Sequence, residues 1–380
     1  MTAGAGVRPI RARLLGADAV RAVAMLGVIG VHAAAWGPSA TFHSIDVITR
    51  YSVPAFVLLT GVVIAYSHTG RRLGTGFARR RLARTLLPWV AWAPVFVAFS
   101  VLTGTLRLTV PDIGGFVVQG GGHLWFLLLV PQLYLLFVVW PRNHRWALAA
   151  AAMLVQIGLC VMRLYAVLPG WQSQLVLNYA AEIFPFWVGY FAVGLAMGTS
   201  LRRPGGLRRA LNVWRLQLTI GAAAATVVSG AALLLVRYPG SPYAATYLTG
   251  TGAFLNPALP LLVLSAVATI ATVVPPLLRR SRLLTRAVTS VSEQSLAVYI
   301  VHPVPLFFLG TYLLEERMAV RGVSALMAFA ALVLFTLISS LVVVRLLRTT
   351  RAATTLGLSQ RPLTLPFAAR SRVPQREEAA

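Results

Sequence analysis

An all-α, polytopic membrane protein with about ten transmembrane helices is the fold class this sequence predicts, and three observations carry the prediction. Hydrophobic residues fill 58% of the 380 positions and charged residues only 11%, where a soluble domain has about a quarter of its residues charged. Mean hydropathy is +0.76. The apolar residues gather into stretches of about 20, the length an α-helix needs to cross a bilayer. Arginines fall between those stretches with a strong bias to one face of the membrane.

Taken in order, the expected spans lie near 17–36, 47–69, 85–106, 123–141, 146–168, 179–200, 216–236, 253–275, 293–314 and 323–344. With the N-terminus inside, segments 1–16, 70–84, 142–145, 201–215, 276–292 and 345–380 face the cytoplasm and hold 27 of the 34 arginines. That asymmetry places both termini in the cytoplasm. Three regions follow: a cytoplasmic N-terminal segment 1–16, a membrane domain 17–344, and a basic tail 345–380. The tail has no hydrophobic periodicity and is expected to be disordered. Arg8, Arg11 and Arg13 lead into a span of full membrane length without a small-residue cleavage pattern, so no cleavable signal peptide is expected.

Composition also excludes some functions. The formal charge of +25 raises the question of nucleic acid, but the arginines are spread between spans instead of covering one soluble domain. A single cysteine, Cys160, allows neither a disulfide within the chain nor a cysteine-rich metal site. Six histidines fall in separate elements without ligand spacing, so no metal site is expected.

The first span, Asp18-Ala-Val-Arg21 to His32, carries two ionisable groups inside apolar sequence. Eleven positions separate them, which leaves their side chains roughly 20° apart around the helix and about 16 Å apart along it. They share a face, and a cation and an imidazole on one stripe suggest a polar cavity. A snorkelling arginine and a packing histidine would give the same pattern.

Further candidates lie along the chain. The loop into the third span holds Arg79, Arg80, Arg81 and Arg84; at helical spacing Arg80, Arg81 and Arg84 line one face beside the membrane. Such a face suits the phosphates of a nucleotide-bearing donor, although arginines there also serve orientation alone. Pro88 is expected to break or kink the helix that follows, and Trp89 and Trp92 to sit as interfacial aromatics. The glycine run 120–122 delivers His123 and Trp125 to the outer mouth of the fourth span. Glu182 lies near the outer end of the sixth, with Pro185 opening the backbone just beyond it. Arg163, close to the outer boundary, reads as a snorkelling arginine. In the ninth span Ser295, Tyr299 and His302 form one polar stripe.

These runs resemble those of acyltransferase family 3. The likeness rests on Arg21-x10-His32, on Arg81-x-x-Arg84, on Val53-Pro-Ala-Phe-Val-Leu-Leu-Thr-Gly61, on His123-Leu-Trp-Phe-Leu127 and on Tyr299-Ile-Val-His302-Pro303, in order over about residues 14–344. The sequence departs mildly from the family's common opening by reading Ala17-Asp18-Ala-Val-Arg21, and has Phe56-Val-Leu-Leu-Thr-Gly61 where a second aromatic and a serine are frequent. The resemblance implies an enzyme that moves acetyl or other short acyl groups from cytoplasmic acyl-CoA to hydroxyls of envelope carbohydrates or secreted glycosylated small molecules. It implies catalytic roles for Arg21 and His32 and a donor role for Arg81 and Arg84. His32 is open to two roles, general base or transient acyl carrier. His123, Trp125, Glu182, Tyr299 and His302 are the candidates for the acceptor side. Acyl-CoA, with acetyl-CoA first, is expected as a donor substrate and not as a bound cofactor, in a bacterial cytoplasmic membrane. A secondary transporter is the main rival; it calls for two related halves with interrupted helices at matching positions, and no such repeat is visible. A non-catalytic membrane scaffold is the third reading.

Overall fold

The structure, a computed structural model, describes residues 15–37, 40–68, 75–165, 179–202, 213–242, 251–314, 323–350, 353 and 355–358. Thirteen helices account for most of them: α1 (Leu15–Ala34), α2 (Ala40–Thr49), α3 (Ser52–His68), α4 (Thr75–Leu102), α5 (Val110–Val118), α6 (Phe126–Val139), α7 (Arg145–Leu164), α8 (Val188–Arg202), α9 (Arg215–Leu235), α10 (Leu259–Arg280), α11 (Arg282–Val301), α12 (Pro303–Leu314) and α13 (Val323–Leu347). Short 3-10 turns at Gly122–Trp125, Phe184–Phe186 and Thr251–Leu255 precede α6, α8 and α10. No strand occurs among the described residues. This is the expected all-α architecture, and it suits a bilayer, where a helix satisfies its own backbone.

Among the described residues eight segments are long and apolar enough to cross a membrane, with α2 and α3 forming one of them. The pair α11 and α12 makes a ninth, bent by 66°. The expected sixth span, 179–200, is helical without interruption only over the 15 residues of α8. Pro185 lies in the 3-10 turn that replaces its first part. Gln156 of α7 stands in for the missing cap: its Oε1 accepts the N–H groups of Gly189 and Tyr190 at the start of α8.

The ninth expected span is broken at His302–Pro303, and the cause is local. Proline carries no N–H, so the carbonyl of Tyr299 loses the donor it would have had four residues on. The His302 ring supplies one instead, Nδ1 lying 2.8 Å from the Tyr299 oxygen. Pro88, by contrast, breaks nothing: α4 runs through both Pro88 and Pro94.

The hub of the bundle is α1. It buries 13 of its 20 residues and packs on α2, α3, α10, α11 and α13. Close approach of backbones sets much of this packing. A Cβ at Gly27 of α1 would lie 2.8 Å from that of Ser52 on α3. Between α3 and α8 the fit is tighter still: a Cβ at Gly61 would overlap the Phe191 carbonyl oxygen, one at Gly194 that of Leu58, and one at Gly198 that of Val62. Small residues at helix crossings are how membrane helices gain contact when lipid is as apolar as their side chains.

Two other expectations change. Trp89 and Trp92 are inward-tied: their indole N–H groups donate to the carbonyls of Gly120 and Leu356. The start of the basic tail is built into the bundle. Residues 345–347 complete α13, Leu358 is buried, and a Cβ on Gly357, whose φ is +70°, would strike Pro88. The segment 1–14 and the tail from 359 on lie outside the described residues.

Replacing Gly194 by valine should lower the thermal midpoint of the detergent-purified protein by the equivalent of about 1–3 kcal/mol or more of overpacking. Gly230→Ala, where the nearest atom would be 3.8 Å away, should leave the midpoint within error.

Candidate active site

Three helix faces line the middle of the bundle. On α1 the face is Arg21, Val28 and His32, at i, i+7 and i+11; on α3 it is Val53, Phe56 and Thr60; on α11 it is Ser292, Ser295 and Tyr299. Each spacing returns to the same side of a 3.6-residue helix. Two cavities lie along these faces. One, of about 200 Å³, is lined by Arg21, Phe56, Thr60, Thr85, Phe126, Tyr134 and Ser295, together with Val28, Val53 and Tyr299. The other, of about 460 Å³, contains His32, Arg50, His123, Trp125, Arg163, Glu182 and Phe254, and again Val28, Val53 and Tyr299. The first lies nearer the arginine-rich loops and is called inner here; the second is outer. Val28, Val53 and Tyr299 face both.

In the inner cavity Arg21 is held by a polar network inside the bundle. Its Nη1 donates to the Ser292 hydroxyl at 3.2 Å and lies 3.8 Å from the Asp18 carboxylate. Ser292 in turn donates to Asp18 at 2.7 Å. A guanidinium in a low-dielectric interior needs such a counter-charge, and here the carboxylate sits one turn away on the same helix. Arg81 of α4 reaches toward this cavity from the arginine-rich end, its guanidinium 5.5 Å from the ring centre of Tyr134 and 5.7 Å from that of Phe77. Arg79, Arg80 and Arg84 are exposed on the same helix.

At the outer cavity three imidazoles converge, His32 and His123 in its lining and His302 buried behind them. The ring centre of His32 lies 5.1 Å from that of His302 and 6.5 Å from that of His123, and the latter two are 5.4 Å apart. The bent α11–α12 junction fixes two of them. His302 Nδ1 faces the Tyr299 carbonyl, and His123 Nε2 lies 3.1 Å from the Ile300 carbonyl. A carbonyl only accepts, so those nitrogens are the donors. The Tyr299 hydroxyl donates to the His123 carbonyl, tying α11 to the turn before α6. His32 itself is half-buried and open to the cavity.

The remaining walls are aromatic and charged. Trp125 stacks at 5.4 Å and 30° on Trp187 and approaches Phe254. Arg50 forms a two-point pair with Asp46, at 3.0 and 2.9 Å, and lies 4.6 Å over the Phe254 ring. Glu182 is pinned through its backbone: its carbonyl accepts from Gln132 at 2.6 Å, and Gln132 also accepts from Phe184 N–H. Its Oε2 is buried against the cavity with no hydrogen-bond partner among the described residues. Among the described residues no cluster of His, Cys, Asp and Glu could hold a metal ion.

A family model described as an acyltransferase domain matches residues 14–345, nearly the whole chain. The chain belongs to the acyltransferase 3 family. No curated protein and no solved structure matches it. The protein is therefore a multi-pass membrane acyltransferase.

Most of the candidate residues of this acyltransferase come together. His32, His123, Trp125, Glu182 and Tyr299 line one cavity; Arg21 and Tyr299 line the other. His302 lines neither: it is fully buried behind His32, at 0% exposure. Arg163 does not snorkel; it faces the outer cavity alongside Glu182. Arg50, not among the residues singled out from sequence, also enters that cavity. Asp18 and Ser292 were visible as polar residues near Arg21 and Ser295, but only the pairing of α1 with α11 shows that they hold the guanidinium.

Asp18→Ala removes the countercharge of a part-buried arginine, so it should destabilise the protein by about 3–5 kcal/mol. Ser292→Ala should cost less, about 1–3 kcal/mol, in thermal melts of the purified acyltransferase. Equal melts for both variants and wild type would remove the network from the account.

Proposed function

We propose that this acyltransferase moves an acetyl or other short acyl group from acyl-CoA to a hydroxyl of an envelope carbohydrate or a secreted glycosylated small molecule. One observation carries the reading: two cavities inside the bundle share Val28, Val53 and Tyr299 in their linings, one bearing Arg21 and the other bearing His32. The inner cavity receives the donor from the cytoplasm, in a bacterial cytoplasmic membrane with both termini inside. Arg79, Arg80, Arg81 and Arg84 hold the phosphates of CoA, where charge-assisted bonds are strongest. The pantetheine arm enters along Thr85 and Tyr134 and past Arg21, which orients it. The outer cavity holds the acceptor, with Trp125 and Phe254 as faces for a ring and Glu182 as an acceptor of hydroxyl hydrogen bonds.

His32 stands where the two substrates meet. As a general base it takes the proton of the acceptor hydroxyl while that oxygen attacks the thioester carbonyl. The carbon–sulfur bond then breaks and CoA leaves as its thiol, protonated by the imidazolium. As an acyl carrier its nitrogen attacks the carbonyl, the carbon–sulfur bond breaks and CoA leaves as its thiol with the imidazole proton. The acceptor hydroxyl then attacks the acylimidazole, breaking the carbon–nitrogen bond and returning its proton to the ring. The buried wall between the cavities favours neither order. A burst of free CoA without acceptor would mark the carrier route.

With the protein folded and inserted normally, His32→Ala should lower acyl transfer by at least about 10²-fold, measured as CoA released by purified enzyme in lipid nanodiscs. Turnover at the wild-type rate would remove His32 from catalysis. Arg81→Gln combined with Arg84→Gln should raise the KM for acyl-CoA about tenfold or more while leaving the KM for the acceptor unchanged, as loss of donor binding requires. Equal changes in both constants would point to a structural role.

A further inference from the structure

We infer that Val28, Val53 and Tyr299 form the wall that selects the length of the acyl group. The inference rests on the function proposed above. These three residues face both cavities, so a group travelling from the Arg21 side to His32 passes between them. Their positions are firmly set. Val28 and Val53 follow Gly27 and Ser52, the pair at which α1 and α3 approach so closely that a Cβ on Gly27 would lie 2.8 Å from Ser52. Tyr299 is held from the third side by its bond to the His123 carbonyl, and by ring contacts to Phe126 at 5.8 Å and to His123 at 5.5 Å. Val28 is buried to 3% exposure, Val53 to 5% and Tyr299 to 8%. A wall of two β-branched residues and one tethered ring yields little, since Val has one strongly preferred rotamer in a helix. It therefore discriminates by size: in a close-packed site each extra methylene that must be accommodated forces its neighbours to shift.

Two independent readouts test the wall. The first is the ratio of turnover with butanoyl-CoA or hexanoyl-CoA to turnover with acetyl-CoA. Val28→Ala and Val53→Ala should raise that ratio about tenfold, and Val28→Leu should lower it. The second needs no acyl donor. In a Cys160→Ala background, Thr60→Cys places a thiol in the inner cavity, and a membrane-impermeant methanethiosulfonate is added from the outer face of sealed vesicles. Labelling should be slow in that parent and about tenfold faster with Val28→Ala or Val53→Ala added, for an opening widened by two methyl groups.

Tyr299→Phe, which keeps the ring and removes only the tether, guards against loss of fold and should speed labelling less than either alanine. Active, folded variants whose chain-length ratio and labelling both match the parent would overturn the wall. Wild-type protein that consumes no acyl-CoA would overturn the donor reading, and with it the role of the wall in choosing acyl groups; faster labelling in that case would still mark the partition between the cavities.

Discussion

A bilayer offers no water to an opened helix, so each backbone carbonyl freed inside it must find a donor from the protein. The break at His302–Pro303 illustrates the consequence. Proline withholds its N–H from Tyr299, the chain turns by 66°, and two imidazoles approach the carbonyls of Tyr299 and Ile300. Satisfying the backbone thereby fixes the ring orientation of His302 and His123 and points both toward α1, where His32 meets them. At Tyr299 the orientation of the His302 ring answers the hydrogen-bond donor that Pro303 withholds.

The same economy governs the charges. Arg21 lies within a hydrophobic helix, and its partner Asp18 comes from the preceding turn of that helix, with Ser292 of α11 bridging them. Arg50 is matched in the same way by Asp46, four residues earlier. Local pairing of this kind gives a buried guanidinium a counter-charge from the turn that precedes it. The spacing is visible in the sequence as Asp18 three positions ahead of Arg21 and Asp46 four ahead of Arg50; it does not extend to Arg163, which Leu159 and Cys160 precede at those positions.

How much could be read from sequence depended on whether a feature was periodic or tertiary. The all-helical character, the shared face of Arg21 and His32 and the alignment of Ser295 with Tyr299 follow from helical repeat and survive in the structure. Among the described residues, eight or nine crossing segments replace the ten expected, and His302, the third member of the expected stripe, is buried outside both cavities. The break in the ninth span was written in Pro303 but was read through, because its apolar residues continue on both sides. Arg163 looked like a snorkelling residue because sequence gives its depth but not its direction, and Glu182 on another element lies at the same cavity. Trp89 and Trp92 looked interfacial for a related reason: their partners, Gly120 and Leu356, are distant in sequence. The division into two cavities could not be read at all, since it depends on α1, α3 and α11 placing Val28, Val53 and Tyr299 at one level.

That division bears on what Arg21 does. Eleven residues of helix put its Cα about 16 Å from that of His32, on the other side of the wall. Two unit charges at that separation interact by only about 1 kcal/mol at an effective dielectric constant of 20. A hydrogen-bond donor in direct contact with a developing oxyanion contributes about 3–4 kcal/mol. Arg21 therefore gains most by gripping the donor in the inner cavity, not by stabilising charge formed beside His32. Two guanidinium groups share the His32 cavity, Arg50 and Arg163; of these Arg50 is paired with Asp46 and braced on Phe254. On the function proposed above, a cation held at that place would cost no reorganisation as negative charge develops, which points to Arg50 for the oxyanion and to Arg21 for the thioester's approach.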